Sequence, residues 1–111
     1  MATTVQSFKV MAPFKDLVNI LSKDSRFGGA YTKIFDEAKV AVLCGEEFFL
    51  RTSSWAGITI IVKELSSNLC AVDAIGFAGA QGLLKISWFS EESYIKKLIT
   101  FLEQHYKVIL S

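Results

Sequence analysis

Three glycines recur at every third position in the most unusual segment of this chain, residues 74–84. Gly76, Gly79 and Gly82 lie between two apolar runs, where glycine either permits a turn with positive φ or lets another group approach the backbone. A loop that cradles phosphate needs a helix directly after its glycines. Residues 83–89 instead alternate like a strand, so we predict a glycine-rich hairpin with a bulge. A backbone surface that a ligand or partner approaches closely is the alternative.

Glu46, Glu47 and Arg51 form a compact charged group beside a predicted irregularity of the sheet. Paired carboxylates can divide acid and base roles when their environments separate their pKa values. Adjacent residues on a strand point to opposite faces, however, whereas Glu47 and Arg51 share one face. The pattern favours a solvent-exposed ion pair of Glu47 with Arg51 over catalysis, and we keep Glu46 and Arg51 as candidate ligand contacts.

The chain has one histidine, His105, and two cysteines, Cys44 and Cys70. His105 lies near the end of the predicted last helix, where a cation interacts favourably with the helix dipole. The cysteines lack the spacing of zinc ligands, and we expect small buried thiols in strands. We therefore expect no catalytic residue, no metal site and no cofactor.

Trp55 and Trp88 are large apolar side chains that each carry one N–H donor. Trp88 aligns with Leu84 and Ile86, so we assign it to the core. Trp55 lies in a Ser-Ser-Trp-Ala-Gly turn and is predicted to be an exposed contact residue or a lid over a pocket. Both tryptophans are candidate ligand contacts.

The composition indicates one core-rich soluble domain over residues 1–111, with 51% hydrophobic residues, 13% aromatic residues, 21% charged residues and a net charge of +1. The chain contains no run of Lys or Arg of the kind that nucleic acid or an anionic membrane requires. No uncharged stretch is longer than residues 74–84, which fall far short of the roughly 20 residues that span a bilayer. Because the N-terminus lacks the pattern of a secretion signal, we expect a cytoplasmic protein with reduced thiols.

Helical periodicity marks two segments. Pro13 suits a first helical turn, and the apolar residues of residues 13–23 recur at i, i+3, i+4 and i+7. A second helix is predicted over residues 91–106, with Ser90 as its N-cap. Its apolar stripe comprises Ile95, Leu98, Ile99, Leu102 and Tyr106. The apolar residues 108–110 are predicted to pack onto the sheet or against a second subunit.

Period-two alternation predicts five strands, at residues 5–10, 39–52, 57–64, 69–77 and 83–89. Gly45 interrupts the second of them, and we favour a bulge in one long strand over the turn of a hairpin. Residues 30–37 fit an extended connection, a short strand or a helical turn. Short connections make the pairings antiparallel.

The resulting order, strand, helix, four strands, helix, is an α+β fold of the type β-α-β4-α with both helices on one face of an antiparallel sheet. This order resembles the TBP-like, or helix-grip, class of folds. The segments Glu46-Glu-Phe-Phe-Leu-Arg51 and Gly79-Ala-Gln-Gly-Leu83, within residues 40–89, resemble those of a family of small uncharacterised prokaryotic proteins. That family carries no assigned activity, so the resemblance implies the fold alone.

Three functions fit these patterns, and self-association ranks first. The sheet face opposite the helices is predicted to be too apolar to stay in water, with Ile61, Ile75, Phe77 and Leu83 as the interface, flanked by Thr59, Lys63, Asp73 and Lys85. The second hypothesis is a small apolar ligand beneath the last helix, as the helix-grip resemblance implies. Its lining would be Phe48, Leu50, Ile60, Val72, Trp88, Ile95 and Ile99. An enzyme of unknown reaction is third.

Overall fold

A six-stranded antiparallel sheet with two helices forms the fold. The computed structural model describes residues 2–49, 54–78 and 84–110. The elements are β1 (Ala2–Met11), α1 (Phe14–Ser22), β2 (Tyr31–Phe35), β3 (Val40–Phe49), β4 (Ser54–Ser66), β5 (Leu69–Ala78), α2 (Leu84–Glu103) and β6 (Lys107–Ile109). The strand order is β2-β3-β4-β5-β1-β6. The predicted α+β class with an antiparallel sheet is therefore confirmed.

Both helices pack on the same face of the sheet. On β4, Ile58, Ile60 and Val62 alternate towards this face and are buried. Helix α1 buries the four apolar residues of the predicted stripe, and Pro13 at its N-cap has the extended conformation that suits a helix start. Helix α2 contributes five buried side chains to the same core cluster, Tyr94, Ile95, Leu98, Ile99 and Leu102. One apolar cluster thus joins the sheet to both helices.

The N-terminal part of α2 corrects the sequence prediction. The helix begins at Leu84, so the predicted strand over residues 83–89 is wrong for 84–89, and Ser90 lies inside the helix and does not cap it. Helix follows β5, and the predicted glycine hairpin is therefore wrong. Leu84 and Trp88 are four residues apart, a spacing that fits a helix as well as the alternation Leu84, Ile86, Trp88 fits a strand. Residues 79–83 lie outside the described residues.

The C-terminal residues resolve one alternative. Helix α2 ends at Glu103, and Tyr106 donates a backbone N–H bond of 2.8 Å to the carbonyl oxygen of Leu102. Strand β6 then pairs with β1 at one edge of the sheet, with Val108 opposite Val10. The apolar tail therefore packs onto the sheet, as the first of the two alternatives predicted.

Strand β3 is one long strand without a bulge. Its register with β4 runs unbroken from Val40 opposite Lys63 to Phe49 opposite Ser54, so the predicted bulge is wrong and the hairpin alternative is wrong as well. The irregularity lies in β4, between Glu64 and Ser66. Glycine at position 45 is instead required by close packing, because a Cβ atom built on it would lie 2.7 Å from the backbone nitrogen of Phe27.

That close approach also decides which face of β3 is buried. The small residues Ala41 and Gly45 and the larger Leu43 turn towards the helices, where the connection between α1 and β2 packs on them. Phe48, predicted to line a space beneath the last helix, therefore lies on the opposite face. Residues 31–35, left open between three conformations by the sequence, form the edge strand β2.

Candidate functional site

The face of the sheet opposite α1 and α2 carries most of the exposed apolar side chains, and we call it the open face. Register and burial place on it six of the nine large apolar side chains that are exposed among the described residues. These six are Val5, Met11, Tyr31, Phe35, Phe48 and Trp55. Half-buried residues fill the space between them, namely Val42, Cys44, Ile61, Ile75 and Phe77. Single exposed apolar side chains are ordinary, whereas several of them gathered on one face are the feature by which interaction surfaces are recognised.

An aromatic pair stands at one end of the open face. Phe48 and Trp55 are directly opposite each other on β3 and β4, and their rings meet edge to face at 5.5 Å between centroids. Trp55 is 58% exposed and Phe48 41% exposed. Trp55 is therefore exposed, as the sequence predicted, but it lies on strand β4, so its predicted place in a turn is wrong. It packs on a side chain that the sequence analysis placed on the other face.

The polar groups near the centre of the open face are bonded to one another. Asp73 accepts a hydrogen bond of 2.6 Å from the hydroxyl of Ser7 on the neighbouring strand. The thiol of Cys44 and the hydroxyl of Thr59 lie 3.8 Å apart, close enough for a weak hydrogen bond. These hydrogen bonds satisfy part of the polar groups' bonding capacity, which lowers the cost of covering the centre of the face with apolar side chains.

The predicted interface residues share this face where the structure describes them. Ile61, Ile75 and Phe77 all lie on the open face, half-buried between their neighbours. Leu83 lies outside the described residues. Lys85 belongs to α2, so its predicted place on the face is wrong. The sequence analysis missed Val5, Tyr31 and Phe35, although alternation along residues 3–11 and 31–35 carries the signal.

Of the predicted ligand contacts that the structure describes, Glu46 and Trp55 are near each other on the open face, whereas Gly76 and Trp88 lie elsewhere. Glu46 is exposed on the open face. Gly76 is buried on the helix-covered face, opposite Ile58 and Thr4. Trp88 belongs to α2 rather than to a strand. Arg51, Gly79 and Gly82 lie outside the described residues.

The apolar space predicted beneath the last helix is occupied by packed side chains. Ile60, Val72, Ile95 and Ile99 all belong to the buried core cluster. Leu50 lies outside the described residues. A cavity of about 260 Å³ is found elsewhere, between α1 and the edge strand β2. It is lined by Phe14, Lys15, Val18, Asn19, Ser22, Thr32, Ile34 and Asp36.

A cluster of polar side chains lies behind the sheet, between β3, α2 and the connection that follows α1. Glu47 points to the helix-covered side and forms a salt bridge of 2.7 Å with Lys97 on α2. The predicted partner Arg51 lies outside the described residues, and Lys97 was missed because it is 50 residues away in sequence. The second carboxylate oxygen, Oε1, is buried without a hydrogen-bond partner in the described structure.

The same cluster fixes the connection between α1 and β2. Arg26 makes a bidentate pair with Asp24, at 2.8 and 2.9 Å, and these hydrogen bonds hold the pKa of Asp24 below its usual range. The guanidinium carbon of Arg26 lies 4.7 Å above the ring centre of Phe27. Burial raises the pKa of Tyr94, whose hydroxyl donates to the carbonyl oxygen of Arg26. Asp24, Arg26 and Tyr94 bond to one another in these contacts, which hold the connection between α1 and β2 in place.

The remaining candidate residues are His105, Cys44 and Cys70. His105 is exposed in the turn after α2 and packs edge-on against Phe101, at 5.1 Å between ring centres. Cys44 and Cys70 are free thiols. Across the described ranges, no three side chains of the metal-binding types converge. Neither described helix has the length and apolar character needed to cross a bilayer.

Comparison with known proteins gives a family and no relative of assigned function. The chain matches the family of unknown function DUF6054 over residues 1–106, and it therefore belongs to that family. The resemblance to a family of uncharacterised proteins is thus confirmed. No curated protein and no solved structure matches the chain.

Proposed function

We propose that this member of the DUF6054 family is a self-associating domain in which the open face of one copy packs against the open face of another. The observation that carries the proposal is the concentration of exposed apolar side chains on that face, from Val5 on β1 to Trp55 on β4. Burying such a surface is favourable by about 25 cal/mol for each Å² removed from water. A second copy of the chain is present wherever the protein is, and most soluble oligomers are built from identical chains.

The size of the open face suits such an interface. Six strands about 4.8 Å apart, the longest with ten or more residues rising about 3.3 Å each, cover on the order of 700 Å². A standard protein interface buries about 800 Å² on each partner. Packing the whole face is therefore enough for a stable dimer, and packing half of it is not.

The arrangement of residues also suits self-pairing. A two-fold axis between β4 and β5, parallel to the strands, lays β4 of each copy over β5 of the other. Gly57 and Phe77 are directly opposite in the sheet, so this axis sets the Phe77 ring of each copy over Gly57 of the other. A Cβ atom built on Gly57 would meet nothing closer than 3.7 Å, so the position leaves room for a ring.

The same axis keeps like charges apart. Lys63 would lie over Ala71, and Lys9 over Val40, by the register of the sheet. Asp73 would lie over Ile61, with its carboxylate still bonded to Ser7. No two side chains of the same charge sign face each other within these strands, which is what a surface that must match itself requires.

Sedimentation equilibrium tests the proposal with a matched pair of variants. Thr59 is half-buried at the centre of the open face, and Thr100 is exposed on α2. We expect the native protein and Thr100→Arg to be dimers at micromolar concentration, and Thr59→Arg to be a folded monomer. A native protein that stays monomeric at millimolar concentration, or a Thr59→Arg variant that dimerises equally well, would refute the interface.

Alkylation of Cys44 gives a second measurement on the native sequence. In the proposed dimer Cys44 lies beneath Val5 of the partner copy, so its reaction with iodoacetamide should slow as protein concentration rises. Cys70 is buried within the core and should stay unreactive at every concentration. In the Thr59→Arg variant the rate at Cys44 should not depend on concentration. A rate that is independent of concentration in the native protein counts against dimerisation through this face.

We also propose that the protein works in the cytoplasm. Support comes from its two free thiols, since an oxidising compartment favours disulfides. Trapping thiols in intact cells with a membrane-permeant alkylating agent, followed by mass spectrometry, should find Cys44, the accessible cysteine, alkylated and therefore reduced. Recovery of the protein in an oxidised form from an extracytoplasmic fraction would overturn the location.

A further inference from the structure

We propose that the outer edge of β2, together with the cavity between β2 and α1, binds an extended segment of a partner protein in which acidic and apolar residues alternate. The segment would add to the sheet as a seventh strand beside Tyr31–Phe35. The unpaired backbone edge of β2 and the cavity lie outside the open face, whereas the side chain of Lys33 lies on it. The inference does not depend on dimerisation.

The backbone of β2 is the first reason. β2 is the last strand in the sheet order and pairs only with β3 in the described structure. Four of its five residues are exposed, including Tyr31 and Phe35. Proteins commonly protect a sheet edge by shortening it, by charge or by covering it. Each edge strand carries one lysine, Lys107 on β6 and Lys33 on β2, but β6 has three residues and β2 has five.

The cavity is the second reason. Thr32 and Ile34 turn towards the helix-covered side of β2, and both line the cavity of about 260 Å³. Its floor is formed by Phe14 and Val18, which are buried in the core, and Ile34 remains 43% exposed beside it. A strand added at this edge places every second side chain next to Thr32 or Ile34. An apolar side chain there enters the cavity and covers Ile34.

Charge determines which residues of the added segment suit the positions that alternate with the apolar ones. Lys33 is the central residue of β2 and points to the open face. Lys15 and Asp36 both line the cavity, so their charges offset each other and Lys33 sets the charge preference of the edge. A residue directly opposite Lys33 on an added strand is stabilised when it is acidic and destabilised when it is basic. Antiparallel pairing of two copies of β2 centred on Lys33 would set lysine against lysine. The edge of β2 therefore favours an acidic segment of another protein over strand β2 of a second copy.

Nuclear magnetic resonance with two short synthetic peptides tests the inference. One peptide alternates valine with glutamate, and its control alternates valine with lysine. We expect the first peptide to shift the amide signals of Tyr31–Phe35 saturably and to protect outward amides of β2 from hydrogen exchange. The control peptide should bind at least about tenfold more weakly, a difference of about 1.4 kcal/mol. Equal shifts with both peptides, or no saturable shift, would overturn the inference.

Charge reversal provides the matched variants. Lys33→Glu should reverse the preference, so that the lysine peptide binds better than the glutamate peptide. Lys107→Glu, on the opposite edge strand, should leave the preference unchanged. Repeating the titration in the monomeric Thr59→Arg variant separates this edge from the open face. Amide shifts in β2 that depend on protein concentration alone, and that the peptide does not change, would replace the partner segment with pairing between two copies of β2.

Discussion

The hydroxyl of Tyr94 on α2 donates a hydrogen bond to the backbone carbonyl oxygen of Arg26, which lies 68 residues earlier in the chain. Phe27 packs beside it, with its ring 6.2 Å from that of Tyr94 and 5.3 Å from that of Phe101. Residues 26–27 therefore lie between α2 and the glycine of β3 at position 45. This contact joins α2 to the connection between α1 and β2, which in turn packs on Gly45 of β3.

Removing this hydroxyl should cost stability. Tyr94 is fully buried, and Tyr94→Phe leaves the Arg26 carbonyl oxygen without this donor. We expect the free energy of unfolding to fall by about 1–2 kcal/mol, measured by urea denaturation. Tyr31→Phe, at an exposed position, serves as the control and should change stability by less than about 0.5 kcal/mol. Equal effects of the two substitutions would show that the hydroxyl of Tyr94 has no special role.

Two glycines on neighbouring strands should respond in opposite ways to alanine. A Cβ atom on Gly45 would collide with the backbone of Arg26 and Phe27, which cannot move without displacing the connection between α1 and β2. Gly45→Ala should therefore lower the free energy of unfolding by about 2 kcal/mol or more. Gly57→Ala has ordinary contact distances within one chain and, measured in the monomeric Thr59→Arg background, should be neutral or slightly stabilising.

Denaturation of the two variants side by side checks this claim. The amide signals of residues 26–35 should shift in Gly45→Ala and stay in place in Gly57→Ala. A fully stable Gly45→Ala variant would mean that the connection can move away from β3 at no cost, and the position of Arg26 would then not be fixed by packing.

The sequence predicted the helix after Pro13 and the alternation of β4 because each has one clear period. Ile58, Ile60 and Val62 recur at every second residue, and nothing competes with that pattern. The first turns of α2 were different, since Leu84 and Trp88 fit the helical period while Leu84, Ile86 and Trp88 fit the strand period. Ser90, a good capping residue, favoured a later start of the helix. Only the helical spacing that continues from Leu84 and Trp88 to Ile95 indicates that the helix begins at Leu84.

The buried face of β3 could not be predicted from polarity alone. Val40, Val42 and Phe48 are larger and more apolar than Ala41 and Gly45, which are the residues turned towards the helices. The small side chains are needed because backbone from residues 26–27 packs there, a long-range contact that no local pattern carries. The pairing of Glu47 with Lys97 was missed for the same reason.

The thiol of Cys70 should make the stability of the protein fall at alkaline pH. Burial, with a smaller effect from Glu64, raises the pKa of Cys70 from 9.0 to about 11, and its Sγ donates to the carbonyl oxygen of Ala12 at 3.4 Å. Between these two values the unfolded chain loses the proton and the folded chain keeps it. The contribution is therefore complete below about pH 9 and lost as the pH rises towards 11.

Urea denaturation at increasing pH measures this contribution. From about pH 9 the free energy of unfolding should fall by up to about 1.4 kcal/mol per pH unit through this group. Cys70→Ala should show a shallower fall, whatever its stability at neutral pH. Equal slopes for the two proteins would show that the thiol does not retain its proton in the folded state.

Ile60 and Ile61 are neighbours on β4 that face opposite sides of the sheet, and they separate folding from association. Ile60 is fully buried, so Ile60→Ala should lower the free energy of unfolding by about 3 kcal/mol at every protein concentration. Ile61 is half-buried on the open face, so Ile61→Ala should cost less than about 1 kcal/mol in the monomer.

In a dimer that buries the open face, Ile61→Ala should also weaken association. Its effect on stability should then grow with protein concentration, because association stabilises the folded state by mass action. Denaturation midpoints measured at two concentrations distinguish the cases. A loss for Ile61→Ala that is large at low concentration would place this side chain in the folding core, and one that is small and constant would remove it from any interface.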